Sequence, residues 1–183
     1  MNFESVFEYL LSQFKKDKID YALIGGFALH AAGHTRATQD IDLLILVDDI
    51  PKAKQALVAF GYEVAHESRD VINFHGKLRE LGQIDIVQAH RQYARGMLQR
   101  AKKYDILNNK FSVKIVMPED LIGLKVQSSS NDPKRLNRDR ADIEVILQKN
   151  HGRLDLNLVR EYFTLFDREA ELDEMLKRLS HVD

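Results

Sequence analysis

Tyr21-Ala22-Leu23-Ile24-Gly25-Gly26-Phe27-Ala28-Leu29, followed by Arg36-Ala37-Thr38-Gln39-Asp40-Ile41-Asp42-Leu43-Leu44-Ile45, decides how this chain is read. A hydrophobic run closes on a glycine pair and a short helical-looking segment follows. Two carboxylates then bracket one isoleucine at the start of a second hydrophobic run. In an extended strand, residues i and i+2 share a face, so Asp40 and Asp42 project side by side. That concentration of negative charge is unfavourable unless cations neutralise it. Hard divalent ions such as Mg²⁺ or Mn²⁺ take carboxylate oxygens together with substrate phosphates. The glycine pair lies just ahead of a helix N-terminus, a natural place for a phosphate. A phosphate cradle beside metal-binding acids points to phosphoryl or nucleotidyl transfer.

A third acid sits in a hydrophobic frame, Ile84-Asp85-Ile86-Val87. If its strand pairs near that of Asp40 and Asp42, three carboxylates converge. Two metals about 3.5–4 Å apart could then activate a nucleophile and stabilise a leaving pyrophosphate. Asp40 and Asp42 would hold the metals, and Asp85 would hold the catalytic metal and help deprotonate the attacking hydroxyl. Each feature has a plainer alternative. Glycines occur wherever a strand bends sharply into a helix. Asp40 could cap a turn, although that leaves Asp42 unexplained inside an apolar strand, where acids are disfavoured. Asp85 alone reads equally well as an edge-strand residue.

The chain of 183 residues suits one compact domain, or one core with a helical extension. Its net charge of −1 makes it no basic nucleic-acid binder as a whole, so any such contact needs a local patch. The absence of cysteine excludes disulfides, thiolate zinc sites and cysteine nucleophiles, and fits a reducing compartment. Residues 1–5 lack the basic start of a signal peptide, and no apolar run approaches the ~20 residues of a membrane helix. A cytoplasmic location and no membrane partner are expected.

Periodicity predicts an amphipathic helix over 3–14, a buried strand over 19–24 and a short helix over 26–32 ended by Gly33. A strand over 40–47 follows, then a helix started by Asp48, Asp49 and Pro51 and ended before Gly61. Short strands are expected at 62–65, 71–74 and 83–87, a helix at 90–103 and a last strand at 111–116. From Pro118 the pattern is helical, with Asp132 capping a start at Pro133 and final helices over 156–166 and 168–179. Residues 128–132, rich in serine, read as the most loop-like stretch. The fold class is therefore α/β (α+β): a mixed sheet flanked by helices over 1–116, with a C-terminal helical region over 117–183 packed on that core.

Gly25-Gly26, Asp40-Ile41-Asp42 and Ile84-Asp85-Ile86, in this order, resemble the nucleotidyltransferase superfamily with the DNA polymerase beta fold. Arg36-x-Thr38-x-Asp40-Ile41-Asp42, Pro118-Glu119-Asp120-Leu121-Ile122-Gly123-Leu124-Lys125 and Arg138-Asp139-Arg140-Ala141-Asp142-Ile143 make the chain most similar to small prokaryotic AbiEii-type and MenT-type proteins. Several of those are toxins of toxin–antitoxin pairs. The resemblance implies transfer of a nucleoside monophosphate from an NTP to an acceptor hydroxyl, tRNA or a small molecule, with release of pyrophosphate. It implies a divalent metal and a possible antitoxin partner. Lys125 would contact phosphate or acceptor, partnered by Asp139 or Asp142, with Arg138 standing where a lysine is usual.

Other residues divide between functional and ordinary roles. Arg36 reads as a triphosphate contact or a solvated loop arginine, and Thr38 as a local hydrogen-bonder beside the nucleotide site. Lys125 reads as a phosphate binder or as a snorkelling lysine on an apolar helix. His30 and His34 have metal-pair spacing, but Gly33 interrupts their helix and no third ligand is evident. Arg91, Arg95, Arg100, Lys102 and Lys103 mark one basic helix, and Lys134, Arg135, Arg138 and Arg140 another. Such clusters are usually solvated faces; lining the acid cleft, they would hold RNA or triphosphate. No Walker A, Rossmann, His-Glu-x-x-His or Gly-x-Ser-x-Gly pattern is present. The alternative to an enzyme is a catalytically degenerate relative that binds nucleotide or protein.

Overall fold

The computed structural model describes residues 1–90 and 92–179. The chain divides into two compact units: Met1–Phe27 with Ala37–Val116, and Ala28–Arg36 with the residues from Met117 onward.

The first unit is built on a mixed sheet of seven strands in the order β3-β4-β5-β2-β1-β7-β6. Its strands are β1 (Tyr21–Leu23), β2 (Asp40–Leu46), β3 (Tyr62–Glu67), β4 (Val71–Gly76), β5 (Gln83–Ala89), β6 (Lys102–Ile106) and β7 (Phe111–Ile115). β2 pairs with β5 and β1 with β7 in parallel; the other neighbours are antiparallel. The central strands are hydrophobic because neighbouring strands surround them. Ile41, Leu43 and Ile45 of β2 and Ile84 and Ile86 of β5 are all buried. Asp40, Asp42 and Asp85 occupy the alternate positions and are only half-buried, as the two-residue side-chain period dictates.

Helices α1 (Phe3–Asp17), α3 (Ile50–Phe60) and α4 (Gln92–Arg100) belong to this unit. α1 buries Val6, Phe7, Leu10 and Phe14 at helical spacing, each worth about 1.5–3 kcal/mol against exposure. Its Phe7 ring meets Phe27 edge-on, with centroids 5.2 Å apart. Gly61 ends α3 at φ 108°, where its N–H reaches the carbonyls of Leu57 and Val58. This is the left-handed cap that glycine adopts without strain.

The short helix α2 (Gly25–Ala31) begins in the first unit and ends in the second. The second unit otherwise consists of α5 (Pro118–Asn131), α6 (Leu136–Lys149), α7 (Leu156–Thr164) and α8 (Glu169–Leu179). α5 packs against both α6 and α7. A Cβ on Gly123 would lie 2.7 Å from the Tyr162 ring, so α5 and α7 approach as closely as they do only because position 123 has no side chain. The Tyr162 hydroxyl donates to buried Asp120 at 2.7 Å.

Two local expectations are corrected. The helix expected over 90–103 ends at Arg100, and Lys102 and Lys103 open edge strand β6. β6 carries four exposed residues and no apolar alternation, so its pairing with β7 forms it. Leu107, Asn108 and Asn109, all at positive φ, turn that hairpin. The serine-rich stretch at 128–131 is helix, not loop. There the Ser129 and Ser130 hydroxyls donate back to carbonyls of the preceding turn, which removes their competition with the helix.

Candidate active site

The parallel register of β2 on β5 places Asp42 directly beside Asp85 and Asp40 beside Gln83. Like charges facing each other across neighbouring strands destabilise a sheet, and a cation held between them would offset that cost. One carboxylate oxygen from each of Asp40, Asp42 and Asp85 lies within 4.8 Å of the others. Among the described residues this is the one group of three potential metal-ligating side chains so gathered. All its donors are hard carboxylate oxygens, the chemistry that suits Mg²⁺ or Mn²⁺ rather than zinc.

Neighbouring side chains orient two of the acids. Asn73, opposite Asp85 on β4, donates its amide to Asp85 Oδ1 at 2.7 Å. The Gln83 amide donates to both oxygens of Asp85, at 3.0 and 3.2 Å. Thr38 Oγ1 donates to Asp40 Oδ1 at 2.9 Å. Thr38 is thus a local hydrogen-bonder whose acceptor is one of the acids. Asn73 and Gln83 were not singled out from sequence. Gln83 carried a faint signal, sharing a strand face with Asp85; Asn73 carried none, because its place depends on long-range pairing.

The glycine pair packs against Asp42 and Thr38. Gly25 has φ +57°, and a Cβ there would fall 1.9 Å from Asp42 Oδ2. A Cβ on Gly26 would fall 2.5 Å from Thr38 Oγ1. Both glycines therefore keep backbone against the acid cluster at the start of α2. The Ile24 N–H donates to the Asp42 carbonyl at 3.0 Å, which ties β1 to β2 at that point.

Arg36, Lys125, Asp139 and Asp142 form a separate constellation in the second unit. Lys125 is buried and donates to Asp142 Oδ2 at 2.6 Å and to Asp139 Oδ1 at 3.2 Å. Arg36 donates to both Asp142 oxygens, at 3.0 and 3.3 Å. His34 Nε2 lies 3.2 Å from Asp142 Oδ1. Lys125 is thus an ion-pair centre and not a solvated snorkelling lysine, and His34 is part of this network. Arg135, not Arg138, pairs with Asp139, Nε to Oδ2 at 3.2 Å, while Arg138 is exposed. A residue four before Asp139 lies on its helical face.

The basic clusters are partly committed to acids, while Lys102, Lys103, Lys134 and Arg138 are exposed. Arg95 stands 3.8 Å from Asp48, and Arg140 contacts Glu144 and Glu174. Arg91 lies outside the described residues.

Residues 9–181 match the family model described as Nucleotidyl transferase AbiEii toxin, Type IV TA system. The chain belongs to this family. It is accordingly an NTP-dependent nucleotidyltransferase. No curated protein matches the AbiEii-family chain in sequence.

Solved structures share its fold at low identity. ANT(2″)-Ia in complex with adenylyl-2″-tobramycin superposes with a TM-score of 0.68 at 12% identity, covering 91% of this chain and 99% of that one. The lincosamide antibiotic adenylyltransferase LnuA, lincomycin-bound, gives 0.55 at 18%, covering 78% and 95%. An antigenic nucleotidyltransferase-like protein from Paracoccidioides brasiliensis gives 0.57 at 21%, covering 96% and 92%. Among the described residues no helix is long and apolar enough to cross a membrane.

Proposed function

We propose that Asp40, Asp42 and Asp85 hold divalent cations, Mg²⁺ or Mn²⁺, and that the protein uses them to transfer a nucleoside monophosphate to a hydroxyl of an RNA acceptor such as tRNA. The observation that carries this is the Asp42–Asp85 register with Asp40 alongside, three carboxylates within 4.8 Å. The cations, when bound, supply charge neutralisation for the triphosphate and the departing pyrophosphate.

The rest falls to the chain itself. The absent Cβ at Gly25 lets the Asp42 carboxylate lie against the backbone at the start of α2, where N–H groups meet the triphosphate. The acceptor oxygen attacks the α-phosphorus. A new phosphate ester bond forms as the bond from that phosphorus to the bridging oxygen of pyrophosphate breaks. Asp85, oriented by Asn73 and Gln83, takes the hydroxyl proton and passes it to water. Arg36 and Lys125 are held by Asp142 in this structure, and no step is given to them. Such a transfer suits a toxin held in check by an antitoxin, in keeping with the family's description.

The test uses each NTP, labelled at its α-phosphate, with Mg²⁺ and total tRNA. Label is expected on the tRNA. Label transferred only to small hydroxylated molecules would move the acceptor to that class. No transfer together with no NTP binding would favour a degenerate, nonenzymatic relative.

A further inference from the structure

A groove of about 660 Å³ opens onto the acid cluster from one side, lined by Phe3, Thr38, Asp40, His75, Leu78 and Arg79 among others. Neither glycine of the phosphate cradle lines it, nor do Asp42 and Asp85. It therefore meets the cluster at Asp40, while Gly25 packs against Asp42.

The far wall is the turn between β4 and β5, and the structure pins it. The Gly76 N–H donates to the Gly82 carbonyl at 2.8 Å, and Leu81 N–H to the Leu78 carbonyl at 3.0 Å. The buried Tyr62 hydroxyl donates to the Leu81 carbonyl at 2.7 Å. A turn held this firmly nonetheless presents Leu78 at 59% exposure, with exposed Lys77 and Arg79 on either side of it. Among the described residues, no ion pair or side-chain hydrogen bond engages Lys77, Arg79 or His75. An uncommitted arginine beside an exposed apolar side chain suits a chain of phosphates whose bases lay an apolar face against it.

We infer that this groove seats the single-stranded end of the RNA acceptor, with Arg79 on its phosphates and a base against Leu78, so that its terminal hydroxyl is delivered past Asp40. The inference rests on the nucleotidyltransfer proposed above and assigns the acceptor a place. Arg79 and Leu78 are binding residues and take no part in the chemistry.

The test measures binding and turnover separately. Binding of 5′-fluorescein-labelled tRNA is followed by anisotropy across a salt series in wild type, Arg79→Ala, Leu78→Ala and a control, Lys15→Ala, which removes an exposed charge from α1. Arg79→Ala should weaken binding roughly fivefold or more and reduce the salt slope by about 0.7, one single-strand phosphate contact. Leu78→Ala should weaken binding without changing the slope, and the control should match wild type. In label transfer, KM for tRNA should rise in both groove variants while KM for the NTP stays put. Equal losses in the control would reduce the effect to general charge and overturn the groove. Wild-type affinity in both groove variants would do the same, as would a rise in KM for the NTP instead of tRNA. Wild-type transfer with unaffected groove variants would sink the groove alone, whereas absence of any transfer in wild type would sink the proposed reaction.

Discussion

Asp42 and Asp85 face each other across the parallel strands β2 and β5. Sheets avoid opposed like charges, and here a third acid, Asp40, stands on the same strand face. The cluster is unfavourable in the absence of cations and well made in their presence.

Stability should therefore respond to metal and nucleotide together. Adding NTP with Mg²⁺ should raise the melting temperature of the wild type, as ligand bound to the native state alone must; at a hundredfold excess over Kd the gain is about 2.7 kcal/mol. NTP with a chelator should give much less. Equal shifts with and without Mg²⁺ would contradict the assignment of the triad to cations.

Gly25→Ala should lose both activity and stability. The residue sits at φ +57°, and its Cβ would be driven into the Asp42 carboxylate. The left-handed backbone alone costs an L-residue about 1–2 kcal/mol. Thermal denaturation and label transfer check this; a fully active, equally stable variant would mean that the backbone does not need to approach Asp42.

Asn73→Ala should leave the fold intact and impair the site. Asp85 loses its 2.7 Å hydrogen bond. Groups that orient metal-binding carboxylates typically contribute about 10- to 100-fold in affinity or activity. The Mg²⁺ concentration for half-maximal activity should rise, a shift that a purely structural defect would not produce.

Lys125→Met should destabilise the second unit. It removes one cation from buried Asp139 and Asp142. Breaking a buried pair costs about 3–5 kcal/mol, and the remaining contacts from Arg36, His34 and Arg135 place the expected loss at the lower end. Chemical denaturation measures it. An unchanged midpoint would show that Arg36 and Arg135 alone satisfy the two acids.

Much of this was legible in the sequence because it is local. The Asp40-Ile41-Asp42 alternation gave both strand β2 and the face its acids share. Gly61 marked the end of α3 and Pro118 the start of α5, and the acids and glycines of the candidate site came from spacing together with the family resemblance. Edge strand β6 was missed because Lys102-Lys103-Tyr104-Asp105 has no buried face to write a period into the sequence. Asn73 and Arg135 were missed for a different reason. Their roles arise from register across strands and from one turn of helix, and each is an ordinary polar residue until its partner is known. His34 was weighed as a metal ligand beside His30, whereas its contact is Asp142, far away in sequence.

The most direct measurement compares label transfer to tRNA by wild type and Asp42→Asn, with circular dichroism on both. Mg²⁺-dependent transfer by the wild type, and none by a variant with an unchanged spectrum, is the predicted result. Wild-type transfer by a folded Asp42→Asn protein would contradict the account at its centre.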